Sequence, residues 1–178
     1  MKSILICLVS ALFLGGSSSI DNMLEYTGIA VNKSNSQEQI LETAKVSWSK
    51  TESTKTTYTM KVKGASSTTK LKKGNSYEFY VRYTPKENGT LFLVKFDVDK
   101  DKRVIESVEA IINPEKNNKP TKFIQMTSEY YNREKIILKV TPSESLAPGS
   151  YGILGGVSNG TSMTYLNSFQ NMLFDIVE

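Results

Sequence analysis

The chain has 178 residues, a formal net charge of +4 and no histidine. Its single cysteine, Cys7, lies in an apolar run near the amino terminus, so the rest of the chain offers neither a thiol nor a disulfide. The commonest general bases, nucleophiles and transition-metal ligands are therefore missing, which argues against catalysis and against a cofactor.

The first residues have the pattern of a secretory signal peptide. Lys2 supplies a positive charge, Ile4–Leu14 is apolar, and small residues follow up to Ser19. The apolar run is shorter than the roughly 20 residues of a membrane-spanning helix. We expect a signal peptide over residues 1–19, a mature form that starts between Ser18 and Asp21, and no membrane span in that form. Export to the periplasm, the outer surface or the medium follows, and the lack of disulfides favours a bacterial envelope.

The amino-terminal third is the least regular part of the sequence. Leu24–Val31 predicts a first strand, which Gly28 interrupts. Ile40–Trp48 fits two structures: a short helix that presents Ile40 and Ala44 on one face, or a strand that begins after residue 44. We favour the strand.

From residue 56 onward, apolar and polar residues alternate, which is typical of half-buried strands. The strongest run covers residues 77–84 and places on one face Tyr77, Phe79, Val81 and Tyr83. The next run is predicted to bury Phe92, Val94, Phe96 and Val98. With the strand that follows it, residues 77–112 predict a three-strand meander.

A corner motif links the last two predicted strands. Pro148 sets φ near −65° and Gly149 tolerates positive φ, so Ala147–Ser150 predicts a type II turn. Together with Leu146 before it and Tyr151 after it, this turn resembles the corner at which Greek-key sandwiches change direction. There the tyrosine ring enters the core and its hydroxyl bonds upstream backbone.

About eight to ten short strands at regular spacing, with no long helical period, predict an all-β protein. We expect a single immunoglobulin-like Greek-key β-sandwich over residues 20–178. Three stretches carry a further resemblance: Gly74–Arg82, the Phe96–Val104 hairpin and Leu146–Ile153. Over about residues 60–178 they resemble an uncharacterised group of small secreted bacterial β-sandwich proteins. The resemblance implies a fold and transfers no activity.

Three motifs resemble catalytic or metal-binding sites but lack the other residues that such sites need. Gly156–Gly160 matches Gly-x-Ser-x-Gly, which needs a histidine base, and Ser47–Lys50 matches Ser-x-x-Lys without its companion motifs. Asp97, Asp99 and Asp101 resemble the start of a calcium loop, yet the glycine and glutamate that such a loop requires are replaced by lysine and valine. We interpret these as a turn, a strand edge and a solvated hairpin, and we predict no metal site.

Aromatic residues offer a different kind of site. Tyr80, Tyr130 and Tyr131 are candidates for a platform on which a sugar or a peptide stacks. The first hypothesis is a non-enzymatic binding or interaction module, with a protein or glycan partner at the cell envelope rather than nucleic acid. The alternative is a structural subunit of a surface assembly that uses an open edge strand. An enzyme based on carboxylates or a Ser–Lys pair ranks third.

Overall fold

The computed structural model describes residues 19–24, 27–45, 47–52, 56–82, 89–106, 123–157 and 171–178. These residues form two β-sheets packed as a sandwich, with one short 3-10 helix, η1, at Ser19–Asn22. The predicted all-β sandwich is confirmed. The immunoglobulin-like topology stays a prediction, and residues 1–18 of the predicted signal peptide lie outside the described part of the chain.

The strands in chain order are β1 (Thr27–Asn32), β2 (Glu38–Ile40), β3 (Glu42–Ala44), β4 (Ser47–Glu52), β5 (Thr56–Lys63), β6 (Lys70–Lys72), β7 (Tyr77–Arg82), β8 (Gly89–Asp99), β9 (Lys102–Glu106), β10 (Phe123–Ile124), β11 (Met126–Asn132), β12 (Ile137–Pro142), β13 (Gly149–Val157) and β14 (Asn171–Val177). The five-stranded first sheet has the order β11-β12-β7-β1-β2. The nine-stranded second sheet has the order β3-β14-β13-β8-β9-β5-β4, and β10 and β6 pair with β8 and β14.

The main core lies between the two sheets. From the first sheet it takes side chains such as Phe79 and Val81, and from the second Leu93, Tyr151 and Phe174. The rings of Phe79 and Phe174 are stacked with their centroids 4.8 Å apart. Since alternate residues of a strand face opposite sides, the alternation in β7 gives the first sheet its inner face.

A second core lies behind the second sheet. Val94 and Phe96 of β8 pack with Met60 and Val62 of β5 and with Ile105 of β9. Strand β8 contributes side chains to both cores. The first part of β8 pairs with β13, and Asp97–Asp99 pairs with β9. Strands β5 and β9 therefore cover the face of β8 that points away from the first sheet.

Two predictions about the strands are corrected by this arrangement, and a third is met in part. Residues 77–112 do not form one meander, because β7 lies in the first sheet and β8 and β9 lie in the second. The strand that we favoured over a helix after residue 44 is found as β4, but β2 and β3 already occupy the residues before it. In β8, Leu91 and Leu93 are buried as well as Val94 and Phe96, whereas Val98 is 54% exposed.

The outer face of the first sheet is also covered. Ile20 and Met23, in and just after η1, pack on Ile29, Tyr80 and Ile137. The guanidinium of Arg82 holds this segment by donating to the carbonyl oxygen of Met23 at 2.6 Å. A sheet with apolar residues on both faces needs such a cover to keep them from water.

Candidate functional site

The corner that precedes β13 is fixed by a buried tyrosine. The ring of Tyr151 is 1% exposed and stacks on Phe174 at 5.5 Å between centroids. Its hydroxyl donates to the carbonyl oxygen of Ala147 at 2.5 Å, as expected of a corner tyrosine. The ammonium of Lys95 lies over the same ring and donates to the carbonyl oxygen of Pro148 at 3.1 Å. Burial, followed by the negative charge of Glu144, raises the pKa of Tyr151.

The backbone at this corner differs from the predicted type II turn. Gly149 has φ of 151°, whereas a type II turn needs about 80° at that position. Gly149 already belongs to β13 and pairs with Ile176 of β14. The positive φ favours glycine there, and a Cβ would lie 2.6 Å from Cε of Lys95, so the flexible end of that lysine would have to move.

Beside the corner lies a pocket of about 290 Å³. Two segments that are distant in sequence form its walls, the turn at residues 72–77 and the loop at residues 141–146. Phe79 and Ile176 of the main core close its floor, and Leu146 of the corner motif is part of its wall. We call this the corner pocket.

Tyr77 is the aromatic wall of the corner pocket and is fixed in place. Its hydroxyl accepts hydrogen bonds from the backbone N–H of Lys72 at 3.0 Å and from Nδ2 of Asn75 at 3.3 Å. Its ring packs against Phe79 at 6.5 Å between centroids. The turn between Lys72 and Tyr77 is tight because Gly74 adopts φ of 82°. The aromatic wall is therefore held at both ends, by the turn and by the core.

The charges around the corner pocket balance. Lys73 is already paired, because its Nζ lies 3.0 Å from each carboxylate oxygen of Glu178. Lys72 and Glu144 also line the pocket, are exposed, and make no ion pair within the described part of the chain. Apart from the Lys73–Glu178 pair, the lining thus carries one positive and one negative side chain.

The predicted tyrosine platform is split between the two faces of the first sheet. Tyr80 and Tyr131 meet edge to face at 5.1 Å between centroids. Tyr130 pairs with Leu138, which neighbours Val81 on the inner face, so it belongs to the opposite side of β11. Its ring lies 4.8 Å from the guanidinium of Arg133. The three rings therefore do not form one surface.

A small polar cluster surrounds Tyr80 on the outer face. Glu78 accepts from the Tyr80 hydroxyl at 3.0 Å and pairs with Lys139 at 3.0 Å and Lys33 at 3.4 Å. Burial alone would raise the pKa of Glu78, but its bonds to Lys139 and Tyr80 outweigh burial and lower it. The carboxylate of Glu78 raises the pKa of Lys139. Burial and the bond to Glu78 raise the pKa of Tyr80 to about 12.

The residues of the three chemical motifs lie apart from the corner pocket. Asp97 and Asp99 belong to β8, Asp101 lies in the turn after it, and no three potential metal ligands cluster within the described residues. The hydroxyl of Ser47 donates to the carbonyl oxygen of Lys61 at 3.2 Å. The side chain of Lys50 lies outside the described part of the structure. Of Gly156–Gly160, only the first two residues are described, and they end β13.

Sequence reasoning identified the corner but missed the pocket beside it. The two walls are separated by about seventy positions, and nothing in either segment indicates the other. No protein family model, curated protein or solved structure matches this chain. Among the described residues, no helix is long and apolar enough to cross a membrane.

Proposed function

We propose that this protein is an exported, non-enzymatic binding module of the bacterial cell envelope and that it takes part of its ligand into the corner pocket. The observation that carries the proposal is the corner pocket itself, a concave site with an apolar floor and a polar mouth. Its volume of about 290 Å³ is close to the lower end of the usual range for ligand pockets, roughly 300–1,000 Å³.

The walls of the corner pocket are held in position before any ligand arrives. Tyr151 and Lys95 anchor the loop that leads to β13 through the carbonyl oxygens of Ala147 and Pro148. Tyr77 anchors the opposite turn through two hydrogen bonds. A site that is already ordered loses less conformational entropy on binding, which favours a specific ligand.

The chemistry of the lining supports binding rather than catalysis. An acid–base or nucleophilic mechanism needs a desolvated lysine or a carboxyl group with a raised pKa. The charged side chains at the mouth of the corner pocket, Lys72 and Glu144, are exposed instead. The serines of the pocket have no histidine to activate them, because the chain contains none.

A pocket-filling variant tests this proposal. Ser145→Trp places a large side chain at an exposed position of the corner pocket, and Ser49→Trp makes the same change on β4 as a control. Thermal melts would be recorded with disaccharides, tripeptides, nucleoside monophosphates and dicarboxylates as separate probes. We expect at least one probe to raise the melting temperature of the wild type and of Ser49→Trp but not of Ser145→Trp. Stabilisation that survives in Ser145→Trp would contradict the proposal.

A second candidate function, assembly through an open edge strand, is favoured by β11. This strand is outermost in the first sheet, and residues 127–131 are all exposed. It ranks second because the register shift at Tyr131 and the charge of Glu129 are features that discourage pairing at an edge. Light scattering would show oligomers in the wild type that Ser128→Pro abolishes and Ser49→Pro, on β4 at an edge of the second sheet, does not. Monomers at all concentrations would exclude it.

A further inference from the structure

We infer that the group bound in the corner pocket is a single neutral sugar ring of a larger glycan. The inference rests on the proposed function, because it names the ligand class of the same pocket. Three properties of the pocket lead to it: its wall, its rim and its charge.

The wall suits the apolar face of a sugar. Tyr77 is half-buried and fixed by its hydroxyl, and Pro142 and Leu146 lie in the opposite segment. The face of an aromatic ring carries partial negative charge and attracts the weakly positive C–H groups of a pyranose ring. Removing those C–H groups and the Tyr77 ring from water adds a hydrophobic contribution.

The rim suits the hydroxyl groups of the same ligand. The short side chains that line the pocket are the hydroxyls of Ser76, Thr141, Ser143 and Ser145 and the amide of Asn75. Each hydroxyl donates one hydrogen bond and accepts others, so this set matches a ligand that also carries hydroxyls around a ring. A purely apolar ligand would exclude water from the four hydroxyl groups without replacing its hydrogen bonds, and so lose affinity.

The charge of the pocket selects a neutral ligand over an anion. The Glu178 carboxylate is already paired with Lys73, which leaves Lys72 and Glu144 as the other charged residues of the lining. Recognition of a phosphate or carboxylate normally uses several charge-assisted donors, such as a bidentate arginine. The corner pocket contains no arginine, and its remaining positive side chain is balanced by a negative one.

Calorimetric titrations on the full chain test the ligand class. The neutral probes are cellobiose, maltose and diacetylchitobiose, and the comparators are digalacturonate and trialanine. We expect one of the neutral disaccharides to bind most tightly. Tyr77→Leu, which removes the aromatic wall, should weaken that binding about tenfold, whereas Tyr130→Leu, on β11 and outside the pocket lining, should leave it unchanged.

Two further variants keep the test sharp even if Tyr77→Leu folds poorly. Lys72→Gln and Glu144→Gln are changes at exposed positions, and each should alter the affinity for a neutral disaccharide less than about threefold. Tighter binding of digalacturonate, lost in Lys72→Gln and improved in Glu144→Gln, would overturn the inference. Binding of trialanine in the corner pocket with no saccharide binding would overturn the ligand class but leave the proposed function intact. If none of the probes binds in the corner pocket, both the inference and the proposed function are contradicted.

Discussion

Glu42 of β3 and Arg103 of β9 form an ion pair across the second sheet, with 3.0 Å between Oε1 and Nη2. Arg103 is fully buried, and its Nε also donates to the carbonyl oxygen of Gly64 at 3.1 Å. The other carboxylate oxygen of Glu42 accepts from the backbone N–H of Thr68 at 2.6 Å. The pair therefore joins β3, β9 and the loop after β5, which are distant in sequence.

Removing one partner of this pair should destabilise the fold strongly. Arg103→Ala would leave the Glu42 carboxylate without its counter-charge and create a cavity, for a loss of about 3–5 kcal/mol in the free energy of unfolding. Lys102→Ala, at the exposed neighbouring position, is the control and should cost little. Urea denaturation measures both. Equal midpoints for the two variants would mean that the ion pair contributes nothing.

The same pair should make the free energy of unfolding depend on pH in the acidic range. Burial alone would raise the pKa of Glu42, but its hydrogen bonds to Ser67, Thr68 and Arg103 outweigh burial and lower the pKa below its ordinary value of 4.5. Because the folded-state pKa is depressed, the stabilisation is present above about pH 4.5 and is lost as the pH falls through the folded-state value. The free energy of unfolding of Glu42→Gln should therefore decline less between pH 5 and 3 than that of the wild type. If the free energy of unfolding of Glu42→Gln declined as much as that of the wild type, this prediction would be wrong.

The corner predicts a graded series of stabilities. Tyr151→Ala should cost about 3–5 kcal/mol, because it removes a ring that is packed between Phe174 and Lys95. Tyr151→Phe keeps the ring and removes one hydrogen bond, to the carbonyl oxygen of Ala147, so the cost should be about 1 kcal/mol. Pro148→Ala should cost less still. Denaturant midpoints that place Tyr151→Ala close to the wild type would show that the corner does not anchor the sandwich.

The Tyr80 hydroxyl predicts a loss of stability at high pH. Its pKa is raised to about 12 in the folded chain, so the protonated form favours folding, and this contribution is lost as the pH rises from about 10 towards 12. Tyrosinate absorbance, recorded as the difference between the wild type and Tyr80→Phe, gives the pKa directly. Glu78→Gln should lower the pKa of Tyr80 towards 10. Glu129→Gln, which removes a more exposed carboxylate, should leave that pKa unchanged. A pKa near 10 in the wild type would contradict the described bond.

The packing of the first described residues narrows the predicted window for signal-peptide cleavage. Ile20 is 7% exposed and packs with Met23 on Ile29, so cleavage after Ile20 would remove a core side chain that contributes about 1.5–3 kcal/mol. Within the predicted window, we therefore expect the mature chain to begin at Ser18, Ser19 or Ile20. The intact mass of exported protein measures this. A first residue at Asp21, or retention of Met1, would contradict the prediction.

The parts of the fold that sequence could predict are those set by local alternation. The pattern in β7 correctly placed Phe79 and Val81 in the core. It could not assign β7 and β8 to different sheets, because alternation reports which face of a strand is apolar and not which strand lies beside it. In β8, apolar residues occupy both faces, so the second core behind Val94 was not visible either.

The candidate site was predictable only where a single segment forms it. The corner depends on neighbouring residues, and turn chemistry pointed to Pro148, Gly149 and Tyr151, although Gly149 pairs with β14 and does not adopt the φ of a type II turn. The corner pocket needs two distant segments, and the Glu42–Arg103 pair spans 61 positions. Such contacts depend on the tertiary fold, for which a single sequence gives no pairing information.

Backbone amide chemical-shift mapping tests the central claim most directly, because it reports where a ligand binds without assuming its chemistry. The isotope-labelled chain would be titrated with the neutral disaccharides and then with the remaining probes. We predict that the shifts cluster in residues 72–77 and 141–146, the two walls of the corner pocket, and disappear in Ser145→Trp. Shifts centred on Tyr131 and Tyr80, or shifts that persist in Ser145→Trp, would contradict the account.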